Sequence, residues 1–275
     1  MHYVQLTVTC STDLGEMLIA ELAEAGFDTF QENTDGFEAF AEDDKADETT
    51  AREILRRYGK QASISFTFST VEKKNWNEEW EKNYEPILVD NRCLIRASFH
   101  TPVQTYPYEV IITPKMSFGT GHHQTTYLMV QRQLDMDHTG KRVMDAGCGT
   151  AILAIMAAKL GAGSVEAFDI DDWSVINGKE NIEVNGTPNV NLQLGKLGEL
   201  SFTGKFDIIL ANINKNVLMQ ELPLYTSYLL PGGELLLSGF YERDIDDLLD
   251  AAVLLGLTEV QRTAREGWAA LLLKL

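Results

Sequence analysis

The densest functional pattern in the chain is Arg142-Val143-Met144-Asp145-Ala146-Gly147-Cys148-Gly149-Thr150-Ala151-Ile152-Leu153. A β-prone run ends in an acid, two glycines follow one residue apart, and an Ala/Ile/Leu stretch of helical character begins at once. This is a strand, a tight turn and a helix, the opening unit of a doubly wound α/β domain. Such sheets bind ligands outside the carboxyl ends of their strands, where the chain order reverses. Gly147 and Gly149 let backbone approach a ligand where a Cβ would collide. The next β-prone run, Ser164-Val165-Glu166-Ala167-Phe168-Asp169, also ends in an acid. A third, Phe206-Asp207-Ile208-Ile209-Leu210-Ala211-Asn212-Ile213-Asn214, is almost unbroken apolar residues and ends in amides, as suits a central strand covered on both faces.

Two ligand classes use such a turn. A dinucleotide site needs Gly-x-Gly-x-x-Gly, and its third glycine is Ile152 here, so that fingerprint fails. The alternative is the Asp-x-Gly-x-Gly loop of S-adenosylmethionine enzymes, with Asp145 near the methionine moiety and no pyrophosphate to hold. Its last glycine is Ala151, one methyl larger. Asp169 then stands where both ribose hydroxyls could be accepted. A glycine turn is a weak signal alone; acids at two successive strand ends strengthen it.

Upstream, Ser117-Phe118-Gly119-Thr120-Gly121-His122-His123-Gln124-Thr125-Thr126 is dense in polar function and hinged by Gly119 and Gly121. Adjacent histidines diverge on a helix, and no nearby acid or cysteine completes a metal site, so no metal is expected. The expectation is a mobile loop over a ligand, with Thr125 and Thr126 capping a helix to Leu134. The three cysteines, Cys10, Cys93 and Cys148, lack metal-ligand spacing and read as reduced thiols. With no secretory start and no apolar run of about 18–20 residues, a cytoplasmic protein without membrane contact is expected.

The elements that must position these residues follow in order. Tyr3–Thr9 alternates like a half-buried strand. A helix from Asp13 to Gly26 carries an apolar stripe of Leu14, Met17, Leu18, Leu22 and Ala25. Strands Phe27–Glu32 and Gly36–Ala41, a helix Ala46–Tyr58 and a strand Ala62–Val71 complete a β-α-β-β-α-β order, that of a ferredoxin-like module. Residues 72–85 read as a helical connector with Trp76, Trp80 and Tyr84 on one stripe. Strands near Ile87–Phe99 and Tyr108–Thr113 lead into α/β alternation from residue 86 to 275. A helix from Asp171 or Asp172, a Pro231-Gly232-Gly233 turn, a strand Glu234–Ser238, a helix Arg243–Gly256 and a closing hairpin end the chain. The domains expected are 1–71, a linker 72–85, and 86–275.

The formal charge is −18, and through Glu85 there are 19 acidic against 8 basic residues. The charge is thus concentrated in the first module, which holds no cluster of catalytic residue types. An acidic surface repels phosphates, so no direct nucleic-acid partner is expected; it suits a basic polypeptide.

The residues resemble one family, the bacterial ribosomal protein lysine methyltransferases that modify the eleventh large-subunit protein. The resemblance rests on Phe118-Gly119-Thr120-Gly121-His122-His123-Gln124-Thr125-Thr126, Asp145-Ala146-Gly147-Cys148-Gly149-Thr150, Asp169-Ile170-Asp171 and Ala211-Asn212-Ile213. It implies an α/β fold, a seven-stranded doubly wound class I methyltransferase domain after a small α+β ferredoxin-like domain, which its acidic charge makes the expected substrate-docking domain. It implies S-adenosylmethionine as methyl donor, contacted by Thr126, Gly147, Asp169 and Asn212, with Asp145 and Gly149 in the same turn. Phe118, Gly119, Thr120 and His122 would form the loop near the methyl group, with Asn212 beside it. The substrate implied is a basic ribosomal large-subunit protein, methylated on lysine or N-terminal amines. The alternative is methylation of another protein or a small-molecule amine, although a glutamine-type site would read Asn-Pro-Pro-Tyr where this chain has Asn212-Ile213-Asn214-Lys215. Three departures stand out: Ala151; Asp172 in place of a common proline; and Asn214-Lys215-Asn216. The first two should alter packing only.

Overall fold

Alternation of Val4, Leu6 and Val8 builds β1 (His2–Thr9), whose inward side chains are almost fully buried. The structure is a computed structural model describing residues 2–59, 62–72, 84–102, 104–115 and 121–275. It divides into two compact units, Met1–Tyr84 and Glu85–Leu275. In the first, β1 is followed by α1 (Thr12–Glu24), β2 (Thr29–Asn33), β3 (Gly36–Glu42), α2 (Glu48–Tyr58) and β4 (Ser65–Glu72). The strands lie in the order β2-β3-β1-β4, every neighbour antiparallel, which is the ferredoxin-like arrangement. Leu18 and Leu22 of α1 and Ala51 and Leu55 of α2 join Val4, Leu6 and Val8 in one core. Met17 does not belong to that stripe: it is 53% exposed. Trp76 and Trp80 of the expected connector lie outside the described residues.

The second unit opens with a correction. The run expected as one strand, Ile87–Phe99, is a hairpin of β5 (Ile87–Val89) and β6 (Cys93–Arg96), paired Ile87 to Ile95. Asp90 and Asn91 turn it at φ 49° and 55°. Short polar side chains tolerate such left-handed backbone, and two in succession make the hairpin turn whose twist matches its strands. β7 (Tyr108–Ile111) pairs parallel to β6.

The main sheet holds seven strands: β8 (Arg142–Ala146), β9 (Ser164–Asp169), β10 (Val190–Leu194), β11 (Phe206–Asn212), β12 (Leu229–Tyr241), β13 (Thr258–Arg265) and β14 (Trp268–Lys274). Their order is β10-β9-β8-β11-β12-β14-β13, parallel except that β14 runs antiparallel to both neighbours. The order reverses between β8 and β11. Helices α3 (Gln124–Gln133), α4 (Ile152–Lys159), α5 (Asp172–Val184), α6 (Lys215–Tyr228) and α7 (Ile245–Leu254) alternate with the strands. Val143, Ile208 and Leu210 face one core with α4, while Met144, Ile209 and Ala211 face another with α6 and α7. Thus the seven-stranded α/β fold is present. β12 runs longer than expected, through Pro231-Gly232-Gly233.

Asn177 and Asn181 on α5 and Asn185 at its C-cap recur four apart and stitch the end of β7 and the backbone after it to that helix. Asn185 Oδ1 accepts from Ile111 N at 2.9 Å, Asn181 Oδ1 accepts from Thr113 N at 2.9 Å, and Asn177 Nδ2 donates to Thr113 O at 3.2 Å. These amides give a segment outside the main sheet the ladder it would otherwise lack, and they fix the chain just before the Met116–Thr120 stretch.

Candidate functional site

The turn from β8 to α4 floors a cavity of about 490 Å³ at the carboxyl ends of the strands. Gly147 (φ 68°) and Gly149 (φ 53°) line it in left-handed backbone. Ala151 adopts the same conformation at φ 64°, as the N-cap of α4. A side chain in that region costs roughly 1–2 kcal/mol. The extra methyl is therefore a backbone strain at the turn, beyond the packing change its sequence suggested.

Asp169 closes this turn. Its Oδ2 accepts from Gly149 N at 2.8 Å and its Oδ1 from Asp171 N at 3.0 Å. An ionised carboxylate offers about four acceptor positions, so two remain for a diol in the cavity that Asp169 lines. Asp171 caps α5 by accepting from Ser174 N at 2.8 Å.

Asp145 has a different part. It is fully buried and no part of the cavity wall; Oδ2 accepts from Ala154 N at 3.0 Å, while Oδ1 has no partner. Burial pushes its carboxyl up to about 7, opposed by the Ala154 N–H and helped by the charge of Asp169. It ties the turn to α4 from beneath.

Asn212 ends β11 on the far side of the order reversal and lines the cavity. Its Nδ2 donates to Thr126 Oγ1 at 3.5 Å, the outer limit of such a bond, and its Oδ1 is buried without a partner. Thr126 stands behind Asn212 and is fully buried; Thr125 and His123 form the wall instead. The α3 cap is also His123 and not a threonine: its Nδ1 accepts from Thr125 N at 3.3 Å and lies 2.7 Å from Thr125 Oγ1. Burial lowers the pKa of His123. Its ring meets Trp268 edge-on at 4.6 Å, and Trp268 lies against Tyr241 at 4.2 Å.

His122 turns away from the cavity, with Nε2 3.0 Å from Glu85 O. Phe118, Gly119 and Thr120 lie outside the described residues. Sequence reasoning missed His123 and Trp268 as wall residues, along with Glu221, which accepts from Tyr225 Oη. Only the second histidine carried a signal, as half of a pair; Trp268 reaches the site through β14, a long-range placement. Asn214, not Asn212, caps α6, accepting from Val217 N at 3.1 Å. Among the described residues no three His, Cys, Asp or Glu form a metal-binding group.

The residues fit S-adenosylmethionine: a glycine-floored cavity, an acid with free acceptor positions at one end, and an unpartnered acceptor, Asn212 Oδ1, at the other. The comparisons agree. Residues 3–275 match the family described as ribosomal protein L11 methyltransferase (PrmA). The chain belongs to this family. It is similar to the ribosomal protein L11 methyltransferases of Porphyromonas gingivalis (45% identical over 271 residues, 97% of this chain and 92% of that one) and Phocaeicola vulgatus (40% over 275 residues, 98% of each). Among solved structures it is similar to the ribosomal protein L11 methylase of Lactobacillus delbrueckii subsp. bulgaricus, with 30% identity and a TM-score of 0.64 over 69% of this chain and 98% of that one. As a family member the chain is a methyltransferase whose donor is S-adenosylmethionine.

Proposed function

We propose that the chain methylates lysine and N-terminal amines of ribosomal protein L11, with Asn212 beside the reacting amine. When bound, S-adenosylmethionine supplies an electrophilic methyl on a sulfonium. Asp169 holds the ribose diol, and Gly147 and Gly149 admit the donor's close approach. As the family resemblance implies, Phe118, Gly119, Thr120 and His122 belong to the loop near the methyl group, with the His122 ring turned to Glu85 O and not into the cavity.

The amine must arrive uncharged, because its lone pair makes the new bond, and a free lysine has a pKa of about 10.4. Water can take that proton before entry; the protein must then keep the amine neutral and aimed. Asn212 Oδ1 accepts an amine N–H and so turns the lone pair toward the methyl. A carboxylate in its place would stabilise the ammonium form instead. The observation that carries this reading is the buried, unpartnered Asn212 acceptor at the reversal point. A buried acceptor without a donor costs about 1–3 kcal/mol, which a bound amine would relieve.

The acidic first unit is the docking module for the basic ribosomal protein. The activity belongs to the cytoplasm and involves no direct nucleic-acid or membrane contact; no described helix is long and apolar enough to cross a membrane. The test is incubation of the full-length protein with labelled S-adenosylmethionine and purified L11, followed by mass analysis of its peptides. Label on lysine and N-terminal amines is expected. Label that stays off L11 and enters another protein or a small amine in a cell extract would overturn the substrate.

A further inference from the structure

Asn212 is held by little of its own. Its backbone is fixed in the β11–β12 ladder, but its one side-chain hydrogen bond, to Thr126, is 3.5 Å long, and its other amide atom is unpartnered. Something else must fix the carboxamide to the tolerance that group transfer requires. The neighbour that does so is Ile213.

Ile213 packs against two glycines, one in the turn after β8 and one in β12. On one side is Gly147 of the turn after β8: a Cβ there would overlap Ile213 Cγ2 well inside contact distance. On the other is Gly239 of β12, where a Cβ would overlap the Ile213 peptide, within 2.6 Å of its carbonyl carbon and 2.9 Å of its nitrogen. Gly239 has φ 96° and sits where the β12–β14 register shifts, between Ser238 and Phe240. Bulges of this kind bend a strand and re-aim what lies on it. Ser238 pins the bulge by donating from Oγ to Ala269 O at 2.7 Å, one residue from the wall residue Trp268. Gly147, Ile213, Gly239 and Trp268 all line the same cavity. Glycine turn, amide strand and aromatic hairpin are therefore stacked through one side chain and one peptide.

We infer that Ile213 is a positioning residue: clamped between Gly147 and Gly239, it sets the Asn212 carboxamide at a fixed distance from the donor turn. The clamp is steric, so it needs no charge beside the amine and leaves the Asn212 acceptor free. It acts through Asn212. This inference rests on the methyl-transfer reading above.

The geometry separates two kinds of substitution. Ile213→Val keeps a γ-methyl over Gly147, whereas Ile213→Ala removes it. Close-packed interiors transmit such changes, and a displacement of about 1 Å at a reacting group can cost about a hundredfold in rate. Ile213→Ala should lower kcat about ten- to a hundredfold with the KM for L11 within about threefold, and Ile213→Val should stay within about threefold of the parent in both. Gly147→Ala should weaken S-adenosylhomocysteine binding, and adding Ile213→Ala should restore part of that affinity, because the colliding Cγ2 is gone. Calorimetry with S-adenosylhomocysteine gives this second readout without turnover, so it stands even if L11 proves not to be the substrate. Thermal melts establish that each variant is folded. Strictly additive losses of affinity in the double variant, or an Ile213→Ala enzyme with parental kcat, would overturn the clamp. If Gly147→Ala does not fold, the contrast of Ile213→Ala with Ile213→Val decides alone: equal kcat in the two sinks it.

Discussion

Asp169 is where the donor reading is most exposed to test, because it already serves the turn and is proposed to serve the ligand as well. Its two oxygens accept backbone N–H groups from Gly149 and Asp171. Hydrogen bonds to a charged acceptor are worth about 1.5–3 kcal/mol each. Asp169 is half-exposed, so about 2–4 kcal/mol in total is a fair reduction for solvent screening. Asp169→Ala should therefore lower the melting temperature, by about 4–16 °C at roughly 2–4 °C per kcal/mol for a unit of this size. That variant confounds folding with binding. Asp169→Asn separates them: the amide oxygen keeps one N–H partner, while the charge that would hold the ribose diol is gone. Losing one charged hydrogen bond to the ligand should raise the Kd for S-adenosylhomocysteine by about 10- to 150-fold. Isothermal calorimetry on the folded variant is the assay. A Kd within twofold of the parent would remove Asp169 from the donor site, and tight binding of NADH by the parent would refute the assignment of the turn itself.

Three further outcomes follow from the same geometry. Asn212→Asp should shift the pH–rate profile for L11 methylation to higher pH, since a carboxylate there stabilises the ammonium form of the amine; an unshifted profile would place Asn212 away from the nucleophile. Asp145 has a folded pKa raised from 3.8 to about 7, so the native state holds a proton that the unfolded chain has lost between those values, and stability falls as pH rises through that window. The cost above pH 7 is on the order of 4 kcal/mol, so Asp145→Asn, which keeps the acceptor for Ala154 N–H, should raise the melting temperature more at pH 8 than at pH 5; equal shifts would show that the carboxylate titrates normally. Finally, because 19 acidic residues face 8 basic ones through Glu85, the KM for L11 should climb with salt while the affinity for S-adenosylhomocysteine changes little; a salt-independent KM would deny the first unit an electrostatic docking role.

Periodicity and turn chemistry made most of the fold legible. The ferredoxin-like order was readable because its strands alternate strictly, as in Val4, Leu6 and Val8. The β8–α4 turn was readable because its acid and two glycines are followed by a second strand that also ends in an acid, Asp169. What escaped had identifiable causes. Asp90-Asn91 carried a hairpin signal inside an apolar stretch whose propensity drew the strand too long. The amide ladder of α5 was visible as asparagines four apart, but its partner, the backbone near Thr113, is more than sixty residues away in sequence. The site divided in the same way. Asp169, Gly147, Gly149 and Asn212 line the cavity because strand ends in a parallel sheet converge there by topology. His123 and Trp268 escaped because a side chain's direction at a cap, or its arrival from a terminal hairpin, depends on packing that no local pattern encodes.

The placement of charge around the cavity follows from what an N-methyl transfer needs. A carboxylate is useful where a neutral diol must be gripped, the part proposed for Asp169, which has two of its acceptor positions already given to the turn. Near the reacting amine a carboxylate would be harmful, because it would hold the proton that must leave, and β11, whose end is proposed to face that amine, offers an amide. Asp145 lies closest in sequence to the glycine turn, yet it faces inward beneath it with a carboxyl that burial biases toward the neutral form. His123 contributes an imidazole whose burial likewise disfavours the charged state. In the proposed site an amine that enters neutral has the Asn212 acceptor to organise its lone pair. Catalysis by such a site comes from alignment and desolvation more than from proton transfer. That is why the weakly hydrogen-bonded Asn212 must be located by close packing, and why the contacts of Ile213 with two glycines carry mechanistic weight.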